Sequence, residues 1–409
     1  MRLLPIALAS LSPVLAAQAV WSTPVPEATL NSSAADSGPF LTADGKTVYF
    51  SSFRSTNWEL YSSTRAGRGQ PWGAPALETA LNDPTGTEDQ PCLSADGLEI
   101  YFSSTRAGGL GGSDLMRSTR LAPVLPWSAP TFVTELNSSA AESAPTLTGD
   151  GLTLYLLSAR TGAPAAPNNA IFVSTRPNKA SPWTTPVLVT ELSTVLTHRD
   201  VEVSENGNEI TYTRFNSTTS RIEVILAKRA KPGDKFGTPA VLPEFAGVGT
   251  SLGVYSFTVS LDRTEALLAA GFATAAGGQE ILSTRLTGLG QHGLCTSTSD
   301  LVLTFRDPAT PGKAYAGAFA LGDTGFMLGT RTVPLDPDAV FVNLFGGIPP
   351  VTTAYSGVLD ANGEATAKVR TLFPFLIGIK LYTGFFSIDY TQPFNVSTIS
   401  NSLPFEFLP

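Results

Sequence analysis

Acidic residues and arginines recur at fixed spacing along the first half of this sequence. One set stands eight residues before the Asp or Asn of a short, Gly-ending turn: Asp36, Glu88, Glu142 and His198. A second set follows that turn position by ten residues: Arg54, Arg106 and Arg160. Equivalent carboxylates could act as general acid and base on a glycoside or bind a polar ligand, and carboxylate–guanidinium pairs could equally tie structural repeats together. The elements that position these residues decide between those chemistries.

The turn that sets this spacing recurs five times. It is TADG ending at Gly45, SADG at Gly97, TGDG at Gly151, SENG at Gly207 and a degraded SLDR at Arg263. Each copy is flanked by short apolar runs, and Asp-Gly or Asn-Gly between two such runs is a strong hairpin signal. A third apolar run follows and ends in a basic step such as STR. The sequence therefore predicts five repeated units of at least three strands.

A fourth strand is predicted from an aromatic-x-x-Pro signature. The signature starts at Trp72, Trp127, Trp183 and Phe236, and the fifth unit lacks it. It stands instead at Trp21, near the N-terminus. If that strand pairs on the outside of the fifth unit, backbone hydrogen bonds close the ring and no sheet edge stays open. We therefore predict an all-β, five-bladed β-propeller over residues 20–288, closed by its N-terminal strand, with these aromatic side chains packed between blades.

The repeated units resemble the TolB-type, WD-like (PD-type) β-propeller repeat. The segment from Cys92 to Met116, CLSADGLEIYFSSTRAGGLGGSDLM, matches its pattern of P-x-x-S-x-D-G, an aromatic-rich strand, S-x-R-x-G and D-I-Y. The resemblance covers about Trp21 to Leu286. It implies an exported or periplasmic protein whose propeller binds proteins or peptides, or accompanies a peptidase. Because propellers host many unrelated functions, the resemblance does not name a ligand.

Both ends of the chain differ from the repeat. Residues 1–19 contain Arg2, an apolar stretch and Ala17-Gln18-Ala19, the pattern of a cleaved signal peptide, which predicts a secreted or periplasmic protein. No later stretch reaches the roughly 20 uninterrupted apolar residues of a membrane helix. Residues 289–409 show a new set of alternating runs and a hairpin signal at Asn362-Gly363, which predicts a C-terminal antiparallel, β-sandwich-like domain.

Composition excludes some classes of function. The 409 residues carry a formal net charge of −8, which would repel a phosphate backbone, so we expect no nucleic-acid partner. The chain contains two histidines, and no CxxC or other metal-ligand spacing is present, so no metal or cofactor is predicted. The two cysteines, Cys92 and Cys295, are expected to be free thiols of low reactivity. We expect a monomer.

Two motif matches are interpreted as loops. Residues 249–253 fit G-x-S-x-G, and residues 288–293 fit G-x-G-x-x-G. A nucleophile elbow and a dinucleotide site both require a helix after the motif, and neither segment leads into a helical pattern. The second segment, which contains His292, is interpreted as a flexible linker between domains.

Ligand recognition is predicted on one face of the propeller. The loops that enter each first strand and those that join the second and third strands share a face, and the latter loops differ in every unit. Trp58 lies outside the aromatic-x-x-Pro register and offers a stacking surface. The candidate ligand-binding residues are Arg54, Trp58, Glu88, Arg106, Glu142, Arg160, His198 and Asp200.

Two functions are compatible with this face. The favoured one is an exported, non-catalytic binding or scaffolding protein for a protein, peptide or glycan ligand, with no catalytic residue. The alternative is a glycan-active hydrolase with carboxylates at the propeller channel. Such an enzyme needs two unpaired carboxylates about 5 or about 7–9 Å apart, one with a raised pKa, and Glu88, Glu142 and Asp200 are the residues to inspect. If the acids and arginines instead pair with each other and hold neighbouring blades together, they are less available for either ligand binding or glycan hydrolysis.

Overall fold

The computed structural model describes residues 20–163, 169–194, 196–249, 253–260, 264–272, 278–292, 300–321, 326–328, 331–333, 335, 347, 351–377, 379–388, 396–400 and 403–407. The predicted signal peptide lies outside these residues. The chain forms two compact units, one over Trp21–Arg285 and one that includes Leu286–Pro409. Within the part of the chain that the structure describes, no helix is long and apolar enough to cross a membrane.

The first unit is built from four-stranded antiparallel sheets. Two short strands come first, β1 (Val20–Trp21) and β2 (Val25–Pro26). The first sheet contains β3 (Asp36–Leu41), β4 (Thr47–Ser52), β5 (Glu59–Thr64) and β6 (Ala76–Leu77). The second contains β7 (Glu88–Leu93), β8 (Glu99–Ser104), β9 (Asp114–Thr119) and β10 (Thr131–Phe132). The third contains β11 (Glu142–Leu147), β12 (Thr153–Ser158), β13 (Ala170–Thr175) and β14 (Val187–Leu188). The fourth contains β15 (His198–Val203), β16 (Glu209–Asn216), β17 (Arg221–Lys228) and β18 (Ala240–Val241), followed by a 3-10 turn at Pro243–Phe245.

The fifth sheet closes the ring with the N-terminal strand. It contains β19 (Val254–Val259), β20 (Glu265–Gly271) and the first half of β21 (Gln279–His292). Strand β2 pairs with β21, so that Val25 lies opposite Ser283. The Ser22 N–H donates to the Arg285 carbonyl at 2.8 Å, which extends this pairing. The predicted five-bladed, all-β propeller with N-terminal closure is therefore confirmed.

The hairpin turns explain why the repeat forms. In the first blade, the Asp44 carboxylate accepts hydrogen bonds from the Thr42 hydroxyl at 2.7 Å and from the Lys46 N–H at 3.0 Å. Gly45 then adopts a left-handed φ of 67°, which a residue with a side chain rarely does. The same arrangement recurs at Asp96 and Asp150. The repeated acid of the tetrapeptide is thus a turn residue, as predicted.

A ring of five hydrogen bonds joins neighbouring blades near the propeller axis; all five donors and four of the five acceptors lie on innermost strands, and the fifth acceptor, Ser51, lies on β4. In each bond, a backbone N–H of one blade donates to a side-chain oxygen of the blade before it, at 3.0 to 3.1 Å. The donor and acceptor pairs are Gln90 to Ser51, Ala144 to Gln90, Val203 to Thr146, Phe257 to Asp200 and Gly38 to Ser256. Because each interface between blades contributes one bond, the ring fixes the relative height of all five inner strands.

The aromatic-x-x-Pro side chains pack between blades, as predicted. Trp127 makes an edge contact with Tyr49 of the preceding blade, at a ring-centroid distance of 6.4 Å. Trp183 contacts Tyr101 in the same way at 6.2 Å. An arginine of the same blade covers the other side of each ring; the Arg120 guanidinium lies 4.0 Å from the Trp127 centroid. The basic step at the end of the third strand therefore belongs to the packing between blades.

The second unit consists of antiparallel sheets around its own core. Its strands are β22 (Leu301–Arg306), β23 (Ala314–Ala320), β24 (Phe326–Leu328), β25 (Arg331–Val333), β26 (Thr352–Thr353), β27 (Ser356–Val358), β28 (Glu364–Val369), β29 (Lys380–Ile388), β30 (Val396–Ile399) and β31 (Leu403–Glu406). A 3-10 turn spans Pro374–Leu376. One sheet contains β22, β28 and β26, and another contains β27, β23, β29, β30 and β31. Phe305 and Phe385, one from each sheet, stack at 5.7 Å in a shared apolar core, which matches the sandwich-like arrangement predicted.

The prediction of a flexible linker at residues 288–293 is wrong for the part of it that the structure describes. Residues 288–292 continue β21 and pair with β22, so that Gly288 lies opposite Arg306 and His292 opposite Val302. The glycines do not prevent pairing, because a neighbouring strand satisfies their backbone groups. Gly293 and Cys295 lie outside the described residues.

Candidate functional site

The predicted acids and arginines pair within their own blades. Arg54 contacts Asp36 at 2.7 Å and Arg106 contacts Glu88 at 3.0 Å. The third pair, Arg160 with Glu142, is separated by 3.2 Å. The acid begins the innermost strand and the arginine follows the second strand, so that the hairpin register brings them together. All three carboxylates are fully buried.

Each guanidinium also binds the preceding blade. Arg54 Nη2 donates to the Leu30 carbonyl at 2.7 Å, and Arg106 Nη2 donates to the Leu81 carbonyl at 2.5 Å. Arg160 makes the same bond to Leu136. These carbonyls follow the outermost strand of the blade before. The tie between blades is therefore made by the arginine to a backbone carbonyl, whereas the ion pair itself lies within one blade.

The carboxylates have further partners that hold the loops entering each blade. The Glu142 carboxylate accepts hydrogen bonds from the Ser138 N–H at 2.8 Å and from the Ser158 hydroxyl at 2.7 Å. Glu88 accepts from the Asp83 N–H at 3.0 Å and from the Ser104 hydroxyl at 2.8 Å. Both oxygens of each carboxylate are thus engaged. Glu88 and Glu142 do not provide the unpaired carboxylates that a glycosidase would need.

His198 replaces the ion pair in the fourth blade. Its Nδ1 lies 3.0 Å from the Asn169 carbonyl and its Nε2 lies 3.2 Å from the Leu192 carbonyl, the counterpart of Leu136. The ring is fully buried and packs on Tyr212 at 5.2 Å. Burial lowers the pKa of His198, because desolvation disfavours the imidazolium. This side chain ties blades together and is not open to a ligand.

Asp200 lies near the propeller axis in the ring of hydrogen bonds. Its Oδ1 accepts from the Val201 N–H and its Oδ2 from the Phe257 N–H, each at 3.0 Å. Burial raises the pKa of Asp200 to about 7, and the charge of Asp89 adds to that rise. The Gln90 amide lies between these inner strands, where its Nε2 donates to the Arg199 carbonyl at 3.0 Å. Among the predicted ligand-binding residues, Asp200 is the one whose pKa differs most from its ordinary value.

An aromatic pair lies on the face that bears the variable loops. Trp58 is half-buried and packs against Phe53, with ring centroids 5.8 Å apart and planes inclined by 60°. Phe53 is 43% exposed. The Trp58 carbonyl accepts a hydrogen bond from the Glu88 N–H at 2.9 Å, which fixes the loop to the next blade. Sequence reasoning found Trp58 and missed Phe53, although Phe53 directly follows the second strand and precedes Arg54.

A cavity lies at the other end of the propeller axis. It is lined by the ends of all five innermost strands, at Leu41, Leu93, Leu147, Val203 and Val259, and by the hairpin turns beside them. Its volume is about 70 Å³, whereas pockets for drug-sized ligands hold roughly 300–1,000 Å³. This cavity can accept one narrow chemical group and is too small to enclose a chain of sugar rings. Sequence reasoning did not anticipate a site at this end, because it regarded these turns as uniform.

Metal and thiol chemistry find little support in the described parts of the chain. Among these residues, no group of three or more His, Cys, Asp or Glu side chains is placed to hold a metal ion. Cys92 is a buried, free cysteine. Burial raises the pKa of its thiol well above the ordinary value, which keeps it in the unreactive thiol form.

Comparisons with known proteins do not assign this chain to a family. No family model matches the sequence, and no curated protein matches it. Among solved structures, TolB from Acinetobacter baumannii is 16% identical with a TM-score of 0.39; the match covers 63% of this chain and 56% of that chain. This chain thus spans about half the length of that protein.

Two other similar structures are carbohydrate-active enzymes. The α-L-arabinofuranosidase PaAbf62A from Podospora anserina, in complex with cellotriose, is 13% identical with a TM-score of 0.42, over 62% of this chain and 91% of that chain. The GH43_1 enzyme from Xanthomonas citri, complexed with xylose, is 13% identical with a TM-score of 0.44, over 64% of this chain and 89% of that chain. At TM-scores below 0.5, these similarities carry no argument about this chain.

Proposed function

We propose that this chain is an exported, non-catalytic binding or scaffolding protein, secreted or periplasmic, that presents the variable-loop face of its propeller to a glycan chain or an extended peptide. The observation that carries the proposal is the pair of exposed Phe53 and half-buried Trp58 on the variable-loop face. Aromatic faces stack on sugar rings and on peptide side chains at little conformational cost. The polar side chains of the same loop, Ser55 and Asn57, form hydrogen bonds to Glu59 and to the Pro84 carbonyl that hold the loop beside the pair.

The engaged state of the predicted carboxylates supports binding over catalysis. A general acid or nucleophile must reach the scissile bond with a free oxygen. Glu88 and Glu142 are buried and held by arginine, hydroxyl and backbone donors. Their role is to set the loops of the binding face in place, so that Trp58 and Phe53 project from a rigid scaffold.

Glycan hydrolysis remains the alternative, and Asp200 is the residue in its favour. Its pKa of about 7 suits a general acid near neutral pH, and Asp89 is a second buried carboxyl close enough to affect it. Assays on aryl glycosides and polysaccharides test this directly. Turnover that is lost in Asp200→Asn and kept in Trp58→Ala would favour the enzyme.

The binding proposal is tested with the protein lacking residues 1–19. We would probe it against glycan and peptide arrays and measure the affinity of a positive probe by calorimetry. Trp58→Ala should weaken binding at least tenfold, and Phe53→Ala should weaken it less. The matched control is Asp96→Asn, in a hairpin turn at the other end of the blade. Equal loss in the control and in Trp58→Ala, or an array without any positive probe, would contradict the proposal.

A further inference from the structure

Asp114 is a buried carboxylate with an unpaired oxygen. It is 2% exposed and begins β9, the third strand of the second blade. Its Oδ2 accepts a hydrogen bond from the Gly111 N–H at 3.0 Å, whereas its Oδ1 is buried without any hydrogen-bond partner. Among the residues that the structure describes, no basic side chain forms an ion pair with it. Because buried charges are ordinarily paired or coordinate a metal ion, Oδ1 indicates a ligand from outside the chain.

Neighbouring polar groups of the second blade are engaged elsewhere. Ser104 lies opposite Asp114 across the strand pair, but its hydroxyl donates to Glu88 Oε1 at 2.8 Å. The Arg106 guanidinium donates to the same carboxylate and to the Leu81 carbonyl. Protonation would not satisfy Asp114 either, because a hydroxyl at Oδ1 would have no acceptor. The described residues therefore satisfy neither form of this carboxyl group.

The other blades differ at this position. The residues that lie opposite the end of the second strand there are Glu59, Ala170, Glu223 and Glu280. The three glutamates are partly exposed, so water can solvate them. Glu59 also accepts a hydrogen bond from the Ser55 hydroxyl, and Glu223 accepts one from Asn216 Nδ2 at 2.8 Å. Of the five equivalent residues, Asp114 is the one acid that is buried.

A glycine-rich loop covers the Asp114 carboxylate. Its sequence is RAGGLGGS, residues 106–113, between the second and third strands of the second blade. A Cβ atom built at Gly109 would collide with Asp114 Oδ2, so the backbone passes directly over the carboxylate. A Cβ atom built at Gly111 would collide with the Ala140 carbonyl oxygen and would lie 2.9 Å from that of Ser138. Neither carbonyl accepts a hydrogen bond from the described residues. Gly111 therefore lies between the carboxylate and two unpaired backbone oxygens of the third blade's entering loop.

We propose that Asp114 and the glycine-rich loop bind a calcium ion between the second and third blades. Asp114 supplies the charged ligand, and the carbonyl oxygens of Ser138, Ala140 and the loop supply neutral ligands. Calcium accepts oxygen ligands in flexible geometry, including backbone carbonyls and water. Gly112 is exposed, so water from the solvent can complete the coordination shell. A water molecule in place of the ion would donate to Oδ1 and leave the buried charge uncompensated.

The expected affinity follows from the small number of charged ligands. With one carboxylate, the dissociation constant should lie near 10⁻⁴–10⁻³ M, roughly the range of extracellular calcium modules. This range suits the exported location proposed above, and the site does not depend on the ligand proposed for the variable-loop face. No group of three metal-ligating side chains marks the site in the described chain, because most of its ligands are backbone carbonyls from two loops.

The experiment measures the melting temperature of the protein by differential scanning calorimetry, in EDTA and in calcium chloride at about 5 mM, above the expected dissociation constant. The test variant is Asp114→Asn. The matched control is Glu59→Gln, which removes the same charge at the equivalent position of the first blade. Magnesium chloride at the same concentration tests whether the site selects calcium.

Calcium should raise the melting temperature of the unmodified protein and of Glu59→Gln by about 2–5 °C, and that of Asp114→Asn by less than about 1 °C. In EDTA, Asp114→Asn should melt no lower than the unmodified protein, because it lacks the uncompensated charge. Magnesium should have little effect, since it requires near-ideal octahedral geometry. An equal rise in all three proteins would show general attraction of cations to an acidic protein and would overturn the proposal. No rise in the unmodified protein, or an equal rise with magnesium, would also overturn it.

Discussion

Asn31 and Ile281 form a two-point hydrogen bond across 250 residues of sequence. The Asn31 Nδ2 donates to the Ile281 carbonyl at 2.9 Å, and the Ile281 N–H donates to Asn31 Oδ1 at 2.7 Å. Asn82 binds Leu60 in the same way within the first blade. The side-chain amide of each asparagine thus makes the two hydrogen bonds that the backbone of a neighbouring strand would make. It does so just beyond the end of the outermost strand. In the fifth blade, these two side-chain hydrogen bonds add to the backbone pairing that closes the ring.

Asn31→Ala should destabilise the propeller more than its counterpart Asn82→Ala. Both substitutions remove two hydrogen bonds, worth together about 1–3 kcal/mol. At Asn31 the substitution also weakens the attachment of the N-terminal segment, which is then held mainly by the short pairing of β2 with β21. We expect the melting temperature to fall by roughly 3–8 °C for Asn31→Ala. Equal decreases for the two variants in a calorimetric scan would contradict a special role in closure.

Arg106→Met should lower the free energy of unfolding more than the double variant Arg106→Met with Glu88→Gln does. The single change leaves the buried Glu88 carboxylate without its counter-charge, which costs about 3–5 kcal/mol. The double change leaves a neutral amide, whose oxygen can accept from the Asp83 N–H and whose NH2 can donate to the Ser104 hydroxyl that the Arg106 Nε–H no longer occupies. Urea unfolding of the two variants measures the difference. A double variant less stable than the single one would mean that the ion pair is not what Glu88 requires.

Asp200→Asn should change how stability depends on pH. In the folded protein, burial raises the pKa of Asp200 from 3.8 to about 7. Between these two values, the folded state binds a proton that the unfolded state does not, so this residue lowers stability as pH rises from about 4 to about 7. An asparagine carries no such dependence. The melting temperature of the variant, relative to the unmodified protein, should therefore be higher at pH 8 than at pH 5, and a constant difference would contradict the shift.

Gly149→Ala should displace the Glu205 side chain, because a Cβ atom built at Gly149 would collide with Glu205 Cγ. It should destabilise the third and fourth blades by about 1–3 kcal/mol, as overpacking does. Adding Glu205→Ala should restore stability, because the second blade carries alanine at the same position. Denaturant unfolding of the three variants forms a double-mutant cycle. Additive effects of the two substitutions would show that Gly149 serves another purpose.

The repeat architecture could be predicted because its signals are local. Asp-Gly at residues 44–45 determines a hairpin wherever it stands between two apolar runs, and Trp21 carries the signature that the fifth unit lacks. The count of blades and the site of ring closure follow from these short-range patterns. The acid and arginine sets were found for the same reason, since a repeated fold requires repeated residues at equal spacing.

The partners of those residues depend on the assembled ring. Arg54 could be located from spacing, but its bond to Leu30 exists only because the fifth blade is completed by the N-terminal segment. The regular spacing of Glu142 marked a structural carboxylate, whereas Glu202 and Glu205 lie beside the cavity at the hairpin-turn end of the axis. The sequence by itself determined the strands, the turns and the number of blades, because hairpin formation depends on neighbouring residues. Only the tertiary structure decided which side chains are buried and which partners they meet, because burial and pairing arise from contacts between blades far apart in the chain.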